Sequence, residues 1–480
     1  SQSLGEPLVC GLQTEHSWRR QQRYLTALLR ALCTTCCVVS CLCPLRAAAG
    51  AVAGQRVDIV LYNGVFYTGN PAAPMAEAVA IRDGRFAAVG TRPDVERQVS
   101  QTAQRIDLAG RFVMPGIVDD HVHPILGGVK VLFECNFSFS ATPEQVSEVV
   151  AACAKKMPPG AWIRGGQWDS GFFSRYPLES PRRFLDAISG DHPVVLVDDS
   201  EHNAWVNSRA LQIASIDSKT PEPAGGHIVR EANGTPNGVL LETAYRVLLR
   251  PIPPARTAAE HEAAVREAVR SANAFGITAL KDAGAYDENL AAYGAVDAAG
   301  ELSMHVAACL RTPSGTRTEK LDYASLEAKR DRFRARHVHT EFVKIFLDGV
   351  PTEARTAAML APYTASAGEK RISGDMLVPE ALLAADLIEL DRRGFTVKMH
   401  ATGDRAVRAG LDAIAAARKA NGASGRHHEL AHAGFIDPAD IARFAALDAV
   451  ADFSPVIWYP SPIIASIERA VGERGARYWP

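Results

Sequence analysis

Two histidines one residue apart, His121 and His123, stand in the run Met114-Pro-Gly-Ile-Val-Asp-Asp-His-Val-His-Pro124. On an extended strand alternate side chains share a face, so this spacing presents two imidazoles to one point. Neutral imidazole is a preferred ligand for zinc and similar ions. A His-x-His pair alone is weak evidence, because loops carry paired histidines for no chemical reason. Lys344 lies in the apolar run Phe342-Val-Lys-Ile-Phe-Leu-Asp348-Gly349. Charged lysine is rarely buried without a partner, and desolvation lowers its pKa. A neutral ε-amine there could take up carbon dioxide as a carbamate, whose two oxygens can bridge two cations. Read by itself, the segment favours a plainer lysine reaching from a strand edge to water. His400 ends Phe395-Thr-Val-Lys-Met-His, and His432 ends Glu429-Leu-Ala-His. Singly, each is more often a satisfied core or loop histidine than a ligand.

Spacing makes the set harder to dismiss. A barrel of roughly 250 residues divides into units of about 30, and residues at the C-terminal strand ends converge on the site. His400 and His432 are 32 residues apart, one such unit. Lys344 and His400 are 56 apart, which is one unit with an insertion or two plain ones. Convergence of His121, His123, Lys344, His400 and His432 is what a two-metal hydrolase needs.

The elements around these residues fit that placement. From residue 114 onward apolar strand-like runs (192–197, 277–280, 342–347, 395–399, 449–453) alternate with Ala-rich helical stretches (258–275, 379–393, 405–420, 438–447). Such alternation indicates a parallel sheet covered by helices, either doubly wound or a (β/α)8 TIM-type barrel. No Gly-x-Gly-x-x-Gly follows the first strand, which weakens a dinucleotide site. Residues 55–113 read instead as short β segments (57–61, 64–68, 76–81, 85–89), with Asn63-Gly64 and Asp83-Gly84 as hairpin signals.

Composition narrows the partners. The 480 residues are 47% hydrophobic and 22% charged, with a net charge of −2. That balance gives no argument for nucleic acid or an anionic membrane. It says little else, so a small-molecule substrate and homo-oligomerisation both stay open. Six of nine cysteines fall in the first 43 residues, so the body is not a disulfide scaffold. Residues 1–54 look like a leader: Arg19, Arg20 and Arg23 precede an apolar run at 32–42, and small residues follow. The run is too short to span a bilayer. Export to a periplasm-like compartment is one reading. Arg30, Arg46 and the start at Ser1 equally suit translated upstream sequence on a cytoplasmic protein.

Together these residues resemble the amidohydrolase superfamily, within it the amidohydrolase-3, YtcJ-like group that includes N-substituted formamide deformylases. The resemblance runs from about residue 57 to 455. It includes Met114–His123, His192-Pro-Val-Val-Leu, His202-Asn-Ala-Trp205-Val-Asn207, Gly234-Thr-Pro-Asn-Gly238, Lys344–Gly349 and His400-Ala-Thr-Gly403-Asp404. It implies that His121 and His123 ligate the more buried metal, that Lys344 bridges two ions as its carbamate, and that His400 and His432 bind the second. One or two divalent ions are implied, zinc by default. It also implies that 55–113 is the N-terminal part of a small β-sandwich. The barrel would then occupy 114–480, with a large insertion at about 130–275 whose Trp168 and His202 line the substrate cleft. The 221 residues from His123 to Lys344 agree, since three plain units need only about 90.

One departure stands out. In the family, strand 8 ends in an aspartate that touches a metal and shuttles the proton. Asp437, Asp440, Asp448 and Asp452 follow His432, yet none fits that position, and 449–453 reads as strand 7. The barrel is thus expected to be truncated before strand 8, with the missing aspartate at about residue 490 or beyond. The expected activity is hydrolysis of non-peptide C–N bonds by metal-activated hydroxide. The chain itself would be inactive without that aspartate, and the alternative is a catalytically silent barrel that binds or scaffolds.

Overall fold

The computed structural model describes residues 59–169, 171–199, 201–223, 226–365, 370–454 and 462–474. The leader-like segment 1–54 lies outside them. The chain divides into two compact units, Ser1–Val113 and Met114–Pro480.

The first unit holds a five-stranded sheet built on the strand Ile59–Tyr67. Met75–Arg82 pairs with it antiparallel, and Gln104–Asp107 pairs with it parallel. Asp83-Gly84 makes the expected hairpin: both residues take positive φ, and Arg85–Gly90 returns antiparallel. Asn63-Gly64 does not. Asn63 has φ 54°, and the register with Met75–Arg82 slips between Tyr62 and Phe66. The pair is therefore a bulge inside one continuous strand, not a turn between two. Its cause is local, since Asn63 Nδ2 donates to Asp107 Oδ1 at 2.7 Å.

The second unit is built on seven parallel strands: β1 (Ile117–Val122), β2 (Ile277–Ala285), β3 (His305–Arg311), β4 (Val338–Phe346), β5 (Thr396–Ala401), β6 (Glu429–His432) and β7 (Val450–Phe453). They are hydrogen-bonded in sequence order from β1 to β7, which makes a nearly closed TIM-type barrel. Lys344 to His400 is thus one unit with a long connection, and 449–453 is the seventh strand. Among the described residues β1 pairs only with β2, and β7 only with β6.

Helices cover the outer face because their apolar stripes match the strands. Leu383, Leu387, Leu390, Val407, Leu411 and Ile414 are buried on helices Glu380–Arg392 and Asp404–Asn421. They pack on Val343, Ile345, Val397, Met399 and Leu430 of the sheet. Each such side chain contributes about 1.5–3 kcal/mol on burial. The insertion between β1 and β2 carries its own mixed six-stranded sheet, which runs from Cys135–Asn136 to Pro236–Glu242. The expected strand at 192–197 belongs here, as Val194–Asp198. Cys135 and Cys153 are disulfide-bonded within the insertion. The insertion ends earlier than expected, because Ala258–Ala274, capped by Thr257 and Glu260, is the helix that leads into β2. No described helix is long and apolar enough to cross a membrane.

The barrel interior is charged. Arg311, Lys344, Lys398 and Glu429 are successive partners in register across β3, β4, β5 and β6 and share one face. Lys398, fully buried, lies 2.6 Å from Glu429 Oε2, 2.6 Å from Asp452 Oδ2 and 3.3 Å from Asp120 Oδ2. Lys281 joins from β2, 2.7 Å from Asp120 Oδ1 and paired with Glu429. Burial alone would push the Lys398 pKa down, but Glu429, Asp452 and Asp120 together hold it above the ordinary lysine value. Removing one member leaves buried charge uncompensated, which costs about 3–5 kcal/mol. Lys398→Met is therefore expected to lower the urea-unfolding midpoint by an amount equivalent to that cost. An unchanged midpoint would show that the lattice carries no net stability.

Candidate metal centre

Strand parity and strand ends bring the expected ligands together. His121 is the penultimate residue of β1, and His123 caps the helix Pro124–Phe133 that follows. Lys344 lies near the end of β4, His400 near the end of β5 and His432 at the end of β6. The rings of His121 and His432 are 4.5 Å apart between centroids, those of His400 and His432 4.8 Å, and those of His121 and His123 5.8 Å. His432 has φ 72° and Ala433 41°, a left-handed turn that directs the chain away just past the ring.

Protonation follows from burial. Lys344 is 1% exposed, and desolvation, ahead of the like charge of Lys398, brings its pKa down to about 7. Burial and then the Lys344 charge bring His400 down to about 3 and His121 well below its usual value. His432 is lowered in the same sense by burial and its neighbouring histidines. His123 keeps 45% of its side chain open to the cavity. The protein mass around that cavity still lowers its pKa, ahead of the charges of Lys344 and Arg311. Four neutral imidazoles and a readily neutralised amine are the protonation states that a divalent ion requires.

Hydrogen bonds orient the rings. His121 Nδ1 lies 2.6 Å from Asp452 Oδ2, while its Nε2 is buried with no hydrogen-bond partner among the described residues. A buried, unpartnered ring nitrogen opposite a carboxylate-bound one fits a metal ligand held by an outer carboxylate. His400 Nε2 lies 3.0 Å from the Gly349 carbonyl oxygen, and His432 Nδ1 lies 3.0 Å from Ser454 Oγ. Asp348, just after β4, accepts from the amides of Ala358, Thr402 and Gly403 and so ties the ends of β4 and β5 together. Burial raises its pKa to about 7 against those donors. Asp120, Glu429 and Asp452 are close enough to share a cation. The ammonium groups of Lys281 and Lys398 already lie among them, so the histidine cluster is the better metal site.

The residues open into a cavity of about 1580 Å³ lined by His121, His123, His400, His432, His202 and Glu242, among others. His202 lines the cavity wall: its Nδ1 is 2.8 Å from Glu242 Oε2, and Glu242 has φ 51°. Trp168 does not. It is 2% exposed, its indole N–H donates to Leu196 O at 2.9 Å, and it packs against Phe173 inside the insertion. A tryptophan this large fills the insertion's core instead of the cleft. Trp205 and Asn207 of the same signature are equally structural; Trp205 donates to Pro181 O, and Asn207 caps the helix Ser208–Ile213.

Of the four aspartates after His432, three are structural. Asp437 caps the helix Pro438–Leu447, Asp440 pairs with Arg408 and Arg443, and Asp448 ends that helix in the left-handed region. Asp452 stands on β7, as the strand count requires, yet it reaches the site through His121. Sequence reasoning set it aside because 449–453 reads as strand 7 and not strand 8, and its partners, Lys398 and His121, are 54 and 331 residues away and leave no local signal.

Comparison with known proteins agrees with this geometry. A model of the amidohydrolase family matches residues 104–478. The chain is 28% identical to the putative amidohydrolase YtcJ of Bacillus subtilis (strain 168) over 409 residues, 82% of this chain and 72% of that protein. It is 30% identical to the N-substituted formamide deformylase of Arthrobacter pascens over 260 residues, 52% of this chain and 46% of the relative. Among solved structures, an uncharacterized metal-dependent hydrolase from Pyrococcus horikoshii OT3 superposes with a TM-score of 0.66 at 21% identity, covering 88% and 79% of the two chains. That likeness supports the barrel fold. With its family match over most of the second unit and its histidines gathered at the strand ends, this chain belongs to the amidohydrolase family, in the YtcJ-like group.

Proposed function

We propose that the chain is a metal-dependent hydrolase of carbon–nitrogen bonds other than peptide bonds, with an amide or formamide as substrate. One or two divalent ions, zinc by default, would be held by His121, His123, His400 and His432, with Lys344 bridging as its carbamate. The observation that carries this reading is the convergence of four unprotonated imidazoles beside a fully buried lysine, with His121 Nε2 left unpartnered. The formamide deformylase relative supports the substrate class.

When bound, a divalent ion supplies an acidic water and polarises a carbonyl oxygen. The residues of the chain orient that chemistry. Asp452 accepts a hydrogen bond from His121 Nδ1–H and so keeps the Nε2 lone pair facing the cavity. Lys398 Nζ donates to the same Asp452 oxygen at 2.6 Å, which holds that carboxylate in place against the ring. His202, oriented by Glu242, offers its other ring nitrogen to a substrate at the cavity wall.

Metal content per chain tests the reading directly. Plasma mass spectrometry of folded protein is expected to find one or two zinc-like ions, lost when His121 and His123 are both changed to alanine. Hydrolysis of N-formyl and N-acyl amines should vanish on chelation and return with zinc. Folded protein that binds no metal would sink the hydrolase and favour the silent barrel. Asp452→Asn should weaken metal affinity by about 10–100-fold in a competition titration. Unchanged affinity would remove Asp452 from its orienting role.

The Lys344 amine is mostly neutral above pH of about 7 and protonated below it, so carbamate should form on the alkaline side. With ¹³C-bicarbonate, a carbamate carbon resonance is expected above that pH and should fade below it. Lys344→Ala should lack it at every pH, and a resonance that survives the substitution would place the carbamate elsewhere.

A further inference from the structure

We propose that the guanidinium edge of Arg311 binds a carboxylate on the substrate, so that the cavity selects amides with an anionic group near the scissile bond. The proposal rests on the hydrolase reading for the nature of the substrate, but the anion site is argued from separate residues. Arg311 is the last residue of β3 and the register partner of Lys344. Its guanidinium carbon stands 4.9 Å from the Tyr286 ring centroid and 4.5 Å from that of Phe346. Tyr286 comes from the connection after β2, and Phe346 closes β4.

Two rings stacked on a guanidinium leave its N–H edge for hydrogen bonding, and that edge has the fork geometry that recognises carboxylates. Arg250 Nη2 donates to Tyr286 Oη at 3.0 Å and so fixes one ring of the stack. Two other arginines on the cavity wall have protein carboxylates at hand. Arg256 lies 3.0 Å from Glu134 and Arg246 lies 3.9 Å from Glu242. Among the described residues no carboxylate comes within ion-pair distance of Arg311.

Its charge is also poorly supported. Burial, with the like charges of Arg250 and Arg246, disfavours the cation more than Asp282 and Tyr286 relieve it. A largely buried cation without a bonded anion is a costly arrangement that an incoming carboxylate would relieve. The position suits a substrate. A Cβ on Gly284 would lie 3.1 Å from Arg311 Nη1 and 3.9 Å from His123 Cε1. The absent side chain thus leaves the guanidinium edge and the first ligand histidine on either side of one gap. An N-formyl or N-acyl amino acid, with its carboxylate a few bonds from the amide, has that reach.

Benzoate and benzyl alcohol, which have no C–N bond, separate anion binding from turnover. Calorimetric titration of the zinc-loaded full chain is expected to show benzoate at least about 10-fold tighter than the alcohol. Arg311→Gln should abolish that preference, and Arg311→Lys should keep part of it. A preference that survives in Arg311→Gln would send the anion to the metal ions or to Lys344 and overturn the proposal, as would no preference in the unmodified chain. Thermal unfolding checks that each variant folds, and the lysine variant retains the readout should glutamine not be tolerated. N-formylglycine and N-formylglycinamide then divide the two ideas. Turnover without preference for the charged formamide overturns the anion site and leaves the hydrolase. A benzoate preference without turnover of either formamide leaves the anion site and counts against the hydrolase.

Discussion

The Asp452 carboxylate lies between the Lys398 ammonium and the His121 imidazole, 2.6 Å from each. Few contacts in the barrel connect as much. It joins the seventh strand to the first, across the one interval where no backbone pairing is present among the described residues. It closes a buried lattice of two lysines and three carboxylates, and it decides which nitrogen of His121 faces the cavity. Stability and the orientation of the His121 ring are therefore carried by the same oxygen. Such an arrangement is expensive to bury, and it holds only because every charge has an opposite one within bonding distance.

Lys344 and Lys398 show how completely partners outweigh position. They are register neighbours on adjacent strands, both buried and both inside the barrel. Desolvation pushes each pKa down. Three carboxylates reverse that for Lys398, whereas Lys344 has the like charge of Lys398 beside it and falls to about 7. One lysine is thus a structural cation and the other a candidate for carbamate chemistry. The difference lies in what faces each amine, and the charge on Lys398 helps keep Lys344 neutral.

The insertion divides its labour in a similar way. Its large aromatic residues, Trp168 and Trp205, build a core of its own, and each indole N–H finds a backbone carbonyl. Among the residues it sends to the cavity is His202, held by Glu242 in a backbone conformation that few glutamates adopt. Strain of that kind persists where neighbouring contacts over-determine it, and here those contacts include Asn203, which receives the Glu242 amide.

The chain by itself determined the barrel and most of the candidate metal centre. Strand alternation set which side chains share a face, so His121 with His123, and the strand ends at Lys344, His400 and His432, were legible from period and spacing. The Asp83-Gly84 turn was legible for the same reason, as local dihedral preference. Only the tertiary structure decided the rest. It turned Asn63-Gly64 from a hairpin into a bulge, because Asp107 claims the Asn63 side chain from 44 residues away. It placed Trp168 in a core, because an indole carries no mark of whether a sheet or a cavity will lie against it. And it joined Asp452 to His121 across 331 residues, for which no period exists. Periodicity reports the face a residue occupies, while a pairing between strands remote in the chain is settled by barrel closure and by the need of every buried charge for a counterpart.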